Sequence, residues 1–411
     1  MEISLLLEQS DTDQMEELTI YGHYGASHSE YKACSAISFS IYCRNIVWVW
    51  YLNTQKLDIT TFERTFQRTN VSCQLQTVPE PSTGVRVSEG DQYVLKVMNT
   101  VDSQNPALVE LQTLVMALLL QRGLPSQTAL PNISGHLVSQ EYIDCGFGRQ
   151  KYLVRLLTFL PGTTIAKVPC STQILYEVGK MAAKMDLVLQ EMEHPQLHLL
   201  NREMFIWNLS NVPLLESYLS VMDGDPMQEV VTAVIQQYKA CVQPKLSCCR
   251  KSLNHGDFND HNILLQPDGS AGYQISGILD FADMSFGYYV YELAISIMYM
   301  MIENPTPLDV GGVVLAGWET VIPLNQAERD CLYLLVLSRF CQSLVLARHA
   351  VVQQPENEEY LMITAKTGVR HLCQLWELGK EAVERRWFQI AAQYRPGGDP
   401  VVPTEPKEVQ Q

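Results

Sequence analysis

Residues 254–265 read N-H-G-D-F-N-D-H-N-I-L-L and place an acid, Asp257, and an amide, Asn262, five positions apart, directly before a short apolar run. Eighteen residues beyond Asn262 a second acid, Asp280, closes another apolar run, Ile278-Leu279. Phosphoryl transfer calls for such a set: a carboxylate to receive a hydroxyl proton, and an amide with a carboxylate to hold magnesium. Residues 263–265 and 275–279 read as strands, and Pro267-Asp268-Gly269 between them is a turn signal. An antiparallel hairpin made from them sets the start of the first strand beside the end of the second. The spacing therefore predicts that Asn262 and Asp280 meet, both as hard oxygen donors suited to magnesium. Asp257 falls in the loop just ahead, the candidate proton acceptor. Gly256 is expected to take a backbone angle that other residues resist, with His255 shaping the same loop.

At 411 residues the chain is long enough to bury a large core and to divide into two lobes. Its 46% hydrophobic and 18% charged content is that of a soluble globular enzyme. Lys plus Arg number 29 against 45 Asp plus Glu, a net charge of -16. That balance argues against nucleic-acid and anionic-membrane partners and favours cationic ligands. The 11 cysteines form no C-x-x-C pair and no zinc-like set with histidine, so they read as reduced thiols of a cytoplasmic protein. Met1 is followed by acids rather than a basic region, and no secretory signal is expected. Residues 33–52 are rich in Ile, Phe, Val and Trp, but Arg44 and Asn45 interrupt them. Neither piece approaches the roughly eighteen apolar residues that a membrane span needs. No anchor is expected, and the composition assigns this segment no role.

Residues 1–75 carry weak periodicity and read as an atypical, poorly ordered segment. Val85-Arg86-Val87, a Glu89-Gly90-Asp91 turn and residues 93–98 read as a β-hairpin. Asn105-Pro106 starts a helix whose apolar face is Leu108, Leu111, Val115, Leu118 and Leu119, and Gly123 closes it. Leu137-Val138 and residues 152–159 read as further strands, the second ending at Leu160-Pro161-Gly162. Helical periodicity then runs from Ile174 through Val178, Met181, Met185 and Val188 to Met192. Residues 291–302, 329–347 and 364–386 read as further helices. The expected fold is α+β, two-lobed and protein-kinase-like. Residues 76–160 form its β-rich N-lobe, and residues 161–395 its mainly helical C-lobe with the catalytic hairpin. Residues 396–411, rich in Pro, Gly and charge, read as a disordered tail.

Lys96 interrupts the apolar strand Val94-Leu95-Lys96-Val97, the position at which a kinase carries its phosphate-holding lysine. Glu110 on the following helix is the candidate to fix it. Asp283, three residues after Asp280, reads equally as a second carboxylate of the site or as a turn cap. Glu292, at the start of a helix, reads as structural.

The run H-G-D-F-N-D-H-N with the later Asp280-Phe281 resembles the aminoglycoside phosphotransferase and choline kinase superfamily. Residues 152–162 (YLVRLLTFLPG), 205–209 (FIWNL), 277–285 (GILDFADMS) and 339–343 (RFCQS) resemble its hydroxylysine kinase subfamily. The resemblance covers residues 85–390. It implies a cytosolic enzyme that phosphorylates the hydroxyl of 5-hydroxy-L-lysine, with GTP as donor and magnesium as cofactor. It further implies Asp257 as catalytic carboxylate, Asn262 and Asp280 as magnesium ligands, and Lys96 on the phosphates. The hinge of Arg155, Leu157 and Phe159 would meet the guanine base largely through backbone groups. His255, Asp260, Asp283 and Glu292 are further candidates for substrate contact or for support of the loop. A choline- or homoserine-type kinase, and an impaired relative acting by binding, are the alternatives. The last arises because the phosphate-covering loop of the family is not recognisable, residues 79–84 (PEPSTG) being the nearest stretch. Ala282 also stands where relatives usually carry Gly.

Overall fold

The structure is a computed structural model that describes residues 37–42, 47–53, 92–99, 101–132, 134–144, 149–269, 272–353, 355 and 358–394. The expected strand at Val85-Arg86-Val87, its Glu89-Gly90-Asp91 turn, the loop candidate 79–84 and the tail 396–411 lie outside those residues, as does most of 1–75. Two compact units divide at Pro161 and Gly162, with His194–Leu199 counted in the first.

The first unit is built on an antiparallel sheet. Its strands are Ile37–Tyr42 (β1), Val47–Asn53 (β2), Gln92–Val97 (β3), Ala129–Leu130 (β4), Ser139–Asp144 (β5) and Arg149–Thr158 (β6). The order is β1-β2-β3-β6-β4, and β5 pairs with β6. The apolar segment 33–52, for which composition offered no role, thus supplies the β1–β2 hairpin, and β2 pairs along the whole of β3. The strand expected at Leu137-Val138 begins two residues later, at Ser139. Helix α1 (Pro106–Gln121) starts where the sequence predicts: the Asn105 side chain accepts from Leu108 N, and Pro106 takes the first helical position. Val109 of α1 packs with Met98 and Leu153 in a buried cluster, which fixes the helix face turned to the sheet.

The second unit is mainly helical. It contains Thr172–Leu189 (α2), Met227–Gln237 (α3), Tyr289–Met301 (α4), Pro307–Glu319 (α5), Gln326–Gln353 (α6), Ile363–Leu378 (α7) and Lys380–Gln393 (α8). Helices α4 and α6 form its centre, and α6 is buried without interruption from Cys331 to Leu346. Helix α6 is long and apolar enough to cross a membrane, but 89% of its apolar window is buried in the protein, the position of a core helix. The helix expected over residues 364–386 is two helices. Gly379 at φ 76° breaks it, a backbone angle that costs glycine nothing and other residues a good deal.

Helix α5 escaped the sequence reading because Gly311, Gly312 and Gly317 lower its helical propensity. Packing explains them. A Cβ on Gly179 of α2 would overlap the Val314 carbonyl, and one on Gly317 would overlap the Tyr176 carbonyl, so the two helices touch backbone to backbone. Gly311 and Gly312 likewise admit Trp387 and Ile390 of α8. Gly179→Ala and Gly317→Ala are each expected to lower stability by about 1–3 kcal/mol, since a close-packed interior cannot absorb the added methyl. Thermal unfolding checks this, and a midpoint within a degree of the parent protein would refute the contact.

Candidate active site

Three short strand pairs of the second unit carry the motif. Lys251–Asn254 (β8) pairs with Ser285–Tyr288 (β11), and Ile263–Pro267 (β9) pairs with Tyr273–Ile278 (β10) and with Thr163–Thr164 (β7). The motif loop leaves β8 and enters β9. Ser276 is an extra residue on β10, because Ile275 pairs with Leu265 while Gly277 pairs with Leu264. The bulge brings Ile278 opposite Ile263, and Leu279 N then donates to Asn262 O at 2.9 Å. The predicted convergence at the base of the hairpin is therefore present.

Within the loop Gly256 adopts φ 81°, and a Cβ there would sit 2.6 Å from Asp283 O. Its N–H donates to Glu292 Oε2 at 3.1 Å, and its carbonyl accepts from Arg339 Nη2 at 3.2 Å. The next residue, Asp257, is nearly buried and has both carboxylate oxygens engaged. Arg339 Nη2 donates to Oδ1 and Asn262 Nδ2 to Oδ2, each at 3.1 Å. Asn262 Nδ2 also donates to Asp257 O at 2.9 Å, while Asn259 Oδ1 accepts from the backbone N–H groups of His261 and Asn262.

His255 is fully buried, its ring edge-on to Phe258 and Phe281 at 5.9 and 4.7 Å. Asp257 N donates to its Nδ1, so the ring accepts there and donates from Nε2 to Leu279 O at 2.8 Å. His255 thereby ties the loop to the end of β10. Asp280 follows at φ 56° and ψ 79°, the one non-glycine residue with positive φ among the described residues, and its Oδ1 accepts from Ala282 N. Such strain concentrates where a side chain must be aimed. Arg202 holds the following turn through Ala282 O at 2.8 Å. Asp260 is nearly buried, its carbonyl accepts from Ala166 N, and burial pushes its carboxyl above the usual range, offset in part by His261.

Both amide hydrogens of Asn262 turn toward Asp257, which leaves Oδ1 as its donor atom for a cation, and Asp280 adds a carboxylate. Among the described residues no group of three or more His, Cys, Asp or Glu forms a metal cage. An amide and one carboxylate suit magnesium, which binds through few protein ligands and completes its shell with phosphate and water.

In the first unit Lys96 is buried on β3 and lies directly across from Arg155 on β6. Glu110 does not join them. It is exposed on α1, and no ion pair links it to Lys96 among the described residues. The face of α1 toward the sheet carries Val109 and Thr113 instead, and Arg155 Nη1 donates to Thr113 Oγ1 at 3.1 Å. Leu157 is buried and pairs with Val94 on one side and Ala129 on the other. Hinge backbone outside the sheet therefore begins at Phe159 rather than at Arg155 or Leu157.

Residues 82–324 match the phosphotransferase enzyme family. The chain belongs to that family. It is 67% identical over 311 residues to the hydroxylysine kinase of Danio rerio, covering 76% of this chain and 88% of that protein. It is 51% identical over 319 residues to the hydroxylysine kinase of Bos taurus, covering 77% and 85%. Among solved structures, amicoumacin kinase hAmiN in complex with AMP-PNP, Ca2+ and Ami aligns with a TM-score of 0.53 at 15% identity, over 81% of this chain and 89% of that one. That likeness shows the fold: the α+β kinase-like architecture expected from the sequence.

Sequence reasoning missed how the phosphotransferase loop is supported. Asn254 Nδ2 donates to Asp186 Oδ2 at 3.0 Å, to Ser252 Oγ and to Tyr288 O. Asn208 Nδ2 binds Ser285 Oγ and Phe286 O, and Gln342 Nε2 binds Ile206 O and Asn208 O. The usable signal was Arg339 and Gln342 inside an otherwise apolar helix, since a buried polar residue is more informative than a buried apolar one.

Asp186 and Glu292 are both fully buried. Burial, followed by the charge of Glu292, pushes the Asp186 carboxyl well above the ordinary range. Burial also raises Glu292, which is offset by His255 and by the Gly256 N–H. Glu292 has backbone N–H groups and the nearby His255 and Arg339 to hold its charge, so Asp186 is the protonated member of the pair. A carboxyl whose folded pKa is raised supplies stability at low pH and loses it as pH climbs through the folded value. The protein is therefore expected to lose stability as pH rises above the ordinary carboxylate range, and Asp186→Asn to flatten that loss. Melting curves from about pH 5 to about pH 9 test it, and parallel pH profiles would remove the buried proton.

Proposed function

We propose that this phosphotransferase moves the γ-phosphate of GTP to the hydroxyl of 5-hydroxy-L-lysine, giving 5-phosphohydroxy-L-lysine and GDP, with magnesium as cofactor. The observation that carries the reading is Asp257, held through both carboxylate oxygens at the head of a loop that ends on Asn262 and meets Asp280. The two hydroxylysine kinases that match most of the chain support the acceptor. GTP follows from the resemblance to that subfamily. The acidic balance of the chain favours an acceptor that carries an additional amine. Such an enzyme acts in the cytoplasm, in the breakdown of hydroxylysine.

Asp257 accepts the proton of the substrate hydroxyl as its oxygen bonds to the γ-phosphorus and the bond to the departing GDP oxygen breaks. Lys96 takes the phosphates. Asn262 Oδ1 and the Asp280 carboxylate would hold magnesium, which when bound would neutralise charge on the phosphate oxygens. His255 keeps the loop and the Asp280 end of β10 in register, so that proton acceptor and cation ligands stay at a set spacing.

GDP release by the full chain with GTP, magnesium and 5-hydroxy-L-lysine is expected, and Asp257→Ala should lower kcat by roughly 10²–10⁴-fold. Choline and homoserine in parallel reactions separate the alternative acceptors. No GDP above the Asp257→Ala control with any of the three would rule out the reading. Asn262→Ala is expected to raise the magnesium concentration needed for half-maximal rate, measured by magnesium titration.

A further inference from the structure

We propose that Arg339 is the positioning residue of the phosphotransfer, fixing Asp257 from inside the core; this rests on the reading of Asp257 as proton acceptor. Helix α6 is buried on every side from Cys331 to Leu346, yet it sets a guanidinium in that core with a side-chain exposure of 0%. A buried cation is costly unless its donors are matched. Here Nη1 and Nη2 are matched mainly by the catalytic loop and the segment beside it, with Gln342 Oε1 3.5 Å from Nη1, while Nε has no hydrogen-bond partner among the described residues. Nη2 reaches Gly256 O at 3.2 Å and Asp257 Oδ1 at 3.1 Å, and Nη1 reaches Trp207 O at 2.9 Å. The guanidinium also lies 5.1 Å from the Trp207 ring centroid and 5.4 Å from that of Tyr299, inside the range of cation–π attraction.

Two features of this geometry go beyond core filling. One nitrogen bridges the carbonyl of Gly256 and the side chain of Asp257, so the peptide that aims the carboxylate and the carboxylate itself share a single anchor. The opposite oxygen of Asp257 is held by Asn262. A carboxylate has about four lone-pair positions. With one oxygen fixed from α6 and the other from its own loop, the carboxylate is held in one orientation, the one in which it meets the hydroxyl proton. The planar fork is needed for this. Lysine retains the charge, but a single ammonium cannot reproduce a donor set spread over Gly256, Asp257 and Trp207.

Arg339→Lys and Arg339→Met are tested in the full chain with GTP, magnesium and 5-hydroxy-L-lysine, alone and combined with Asp257→Asn. Arg339→Lys is expected to fold, to keep both KM values within about twofold, and to lower kcat on the order of 10²-fold, the effect of a small displacement of a reacting group. In the Asp257→Asn background the same substitution should cost nothing further, because the carboxylate it positions is gone. A residue that only fills the core would cost activity equally in both backgrounds. Full kcat in Arg339→Lys, equal losses in both backgrounds, or failure of both Arg339 variants to fold would each overturn the proposal. Undiminished activity of Asp257→Asn by itself would instead overturn the reading of Asp257.

Discussion

The backbone of Gly256 is the point on which the site depends. Its N–H is taken by Glu292 of α4 and its carbonyl by Arg339 of α6, so the two central helices of the second unit grip the two peptide groups that flank one residue. That grip holds a left-handed backbone angle next to Asp283, where a Cβ would collide. Glu292, Arg339 and Asp257 around it are buried, in a medium where an unmatched polar atom costs far more than a matched one contributes. The loop therefore has one well-satisfied geometry, and Asp257 inherits its direction from it.

The Asn262–Asp280 end of the site is set differently. Asn262 and Asp280 are brought together by a hairpin whose register is corrected by a one-residue bulge, and Asp280 is then turned by a left-handed angle. His255 joins the two ends by accepting from Asp257 N and donating to Leu279 O. Asp257 and the Asn262–Asp280 pair are thus placed by separate devices, one from packed helices and one from a strand pair, and coupled through the His255 ring and through the Asn262 amide on Asp257. Sites built on such rigid elements hold their groups more closely than sites carried on free loops.

Much of this was legible in the chain. The hairpin, the loop glycine and the N-capped helix after Lys96 each follow from residues within a few positions of one another. Other elements were misread for identifiable reasons. Gly379 stood inside a continuous helical period, and only its positive φ shows that one expected helix is two. Helix α5 carries glycines that read as breakers, but they are contact points against α2 and α8. Glu110 occupied a plausible position for a lysine partner, yet α1 turns Val109 and Thr113 to the sheet and leaves Glu110 in solvent. A helix face cannot be assigned from a stretch that is apolar nearly all round.

By itself, the sequence determined that this protein is a phosphotransferase and where in the chain its motif lies. Asp257, Asn262 and Asp280 are joined by short, strongly patterned segments, so their meeting follows from turn and strand preferences. Tertiary structure alone decided what holds them. Arg339 lies 82 residues from Asp257 and Asp186 lies 68 residues from Asn254, and each pair is made only when helices close around the loop. Local preference acts over a few residues. A contact across such distances leaves no periodicity to read, and the one trace of the Arg339 contact is a charged side chain in a stretch, 331–346, that has no solvent face.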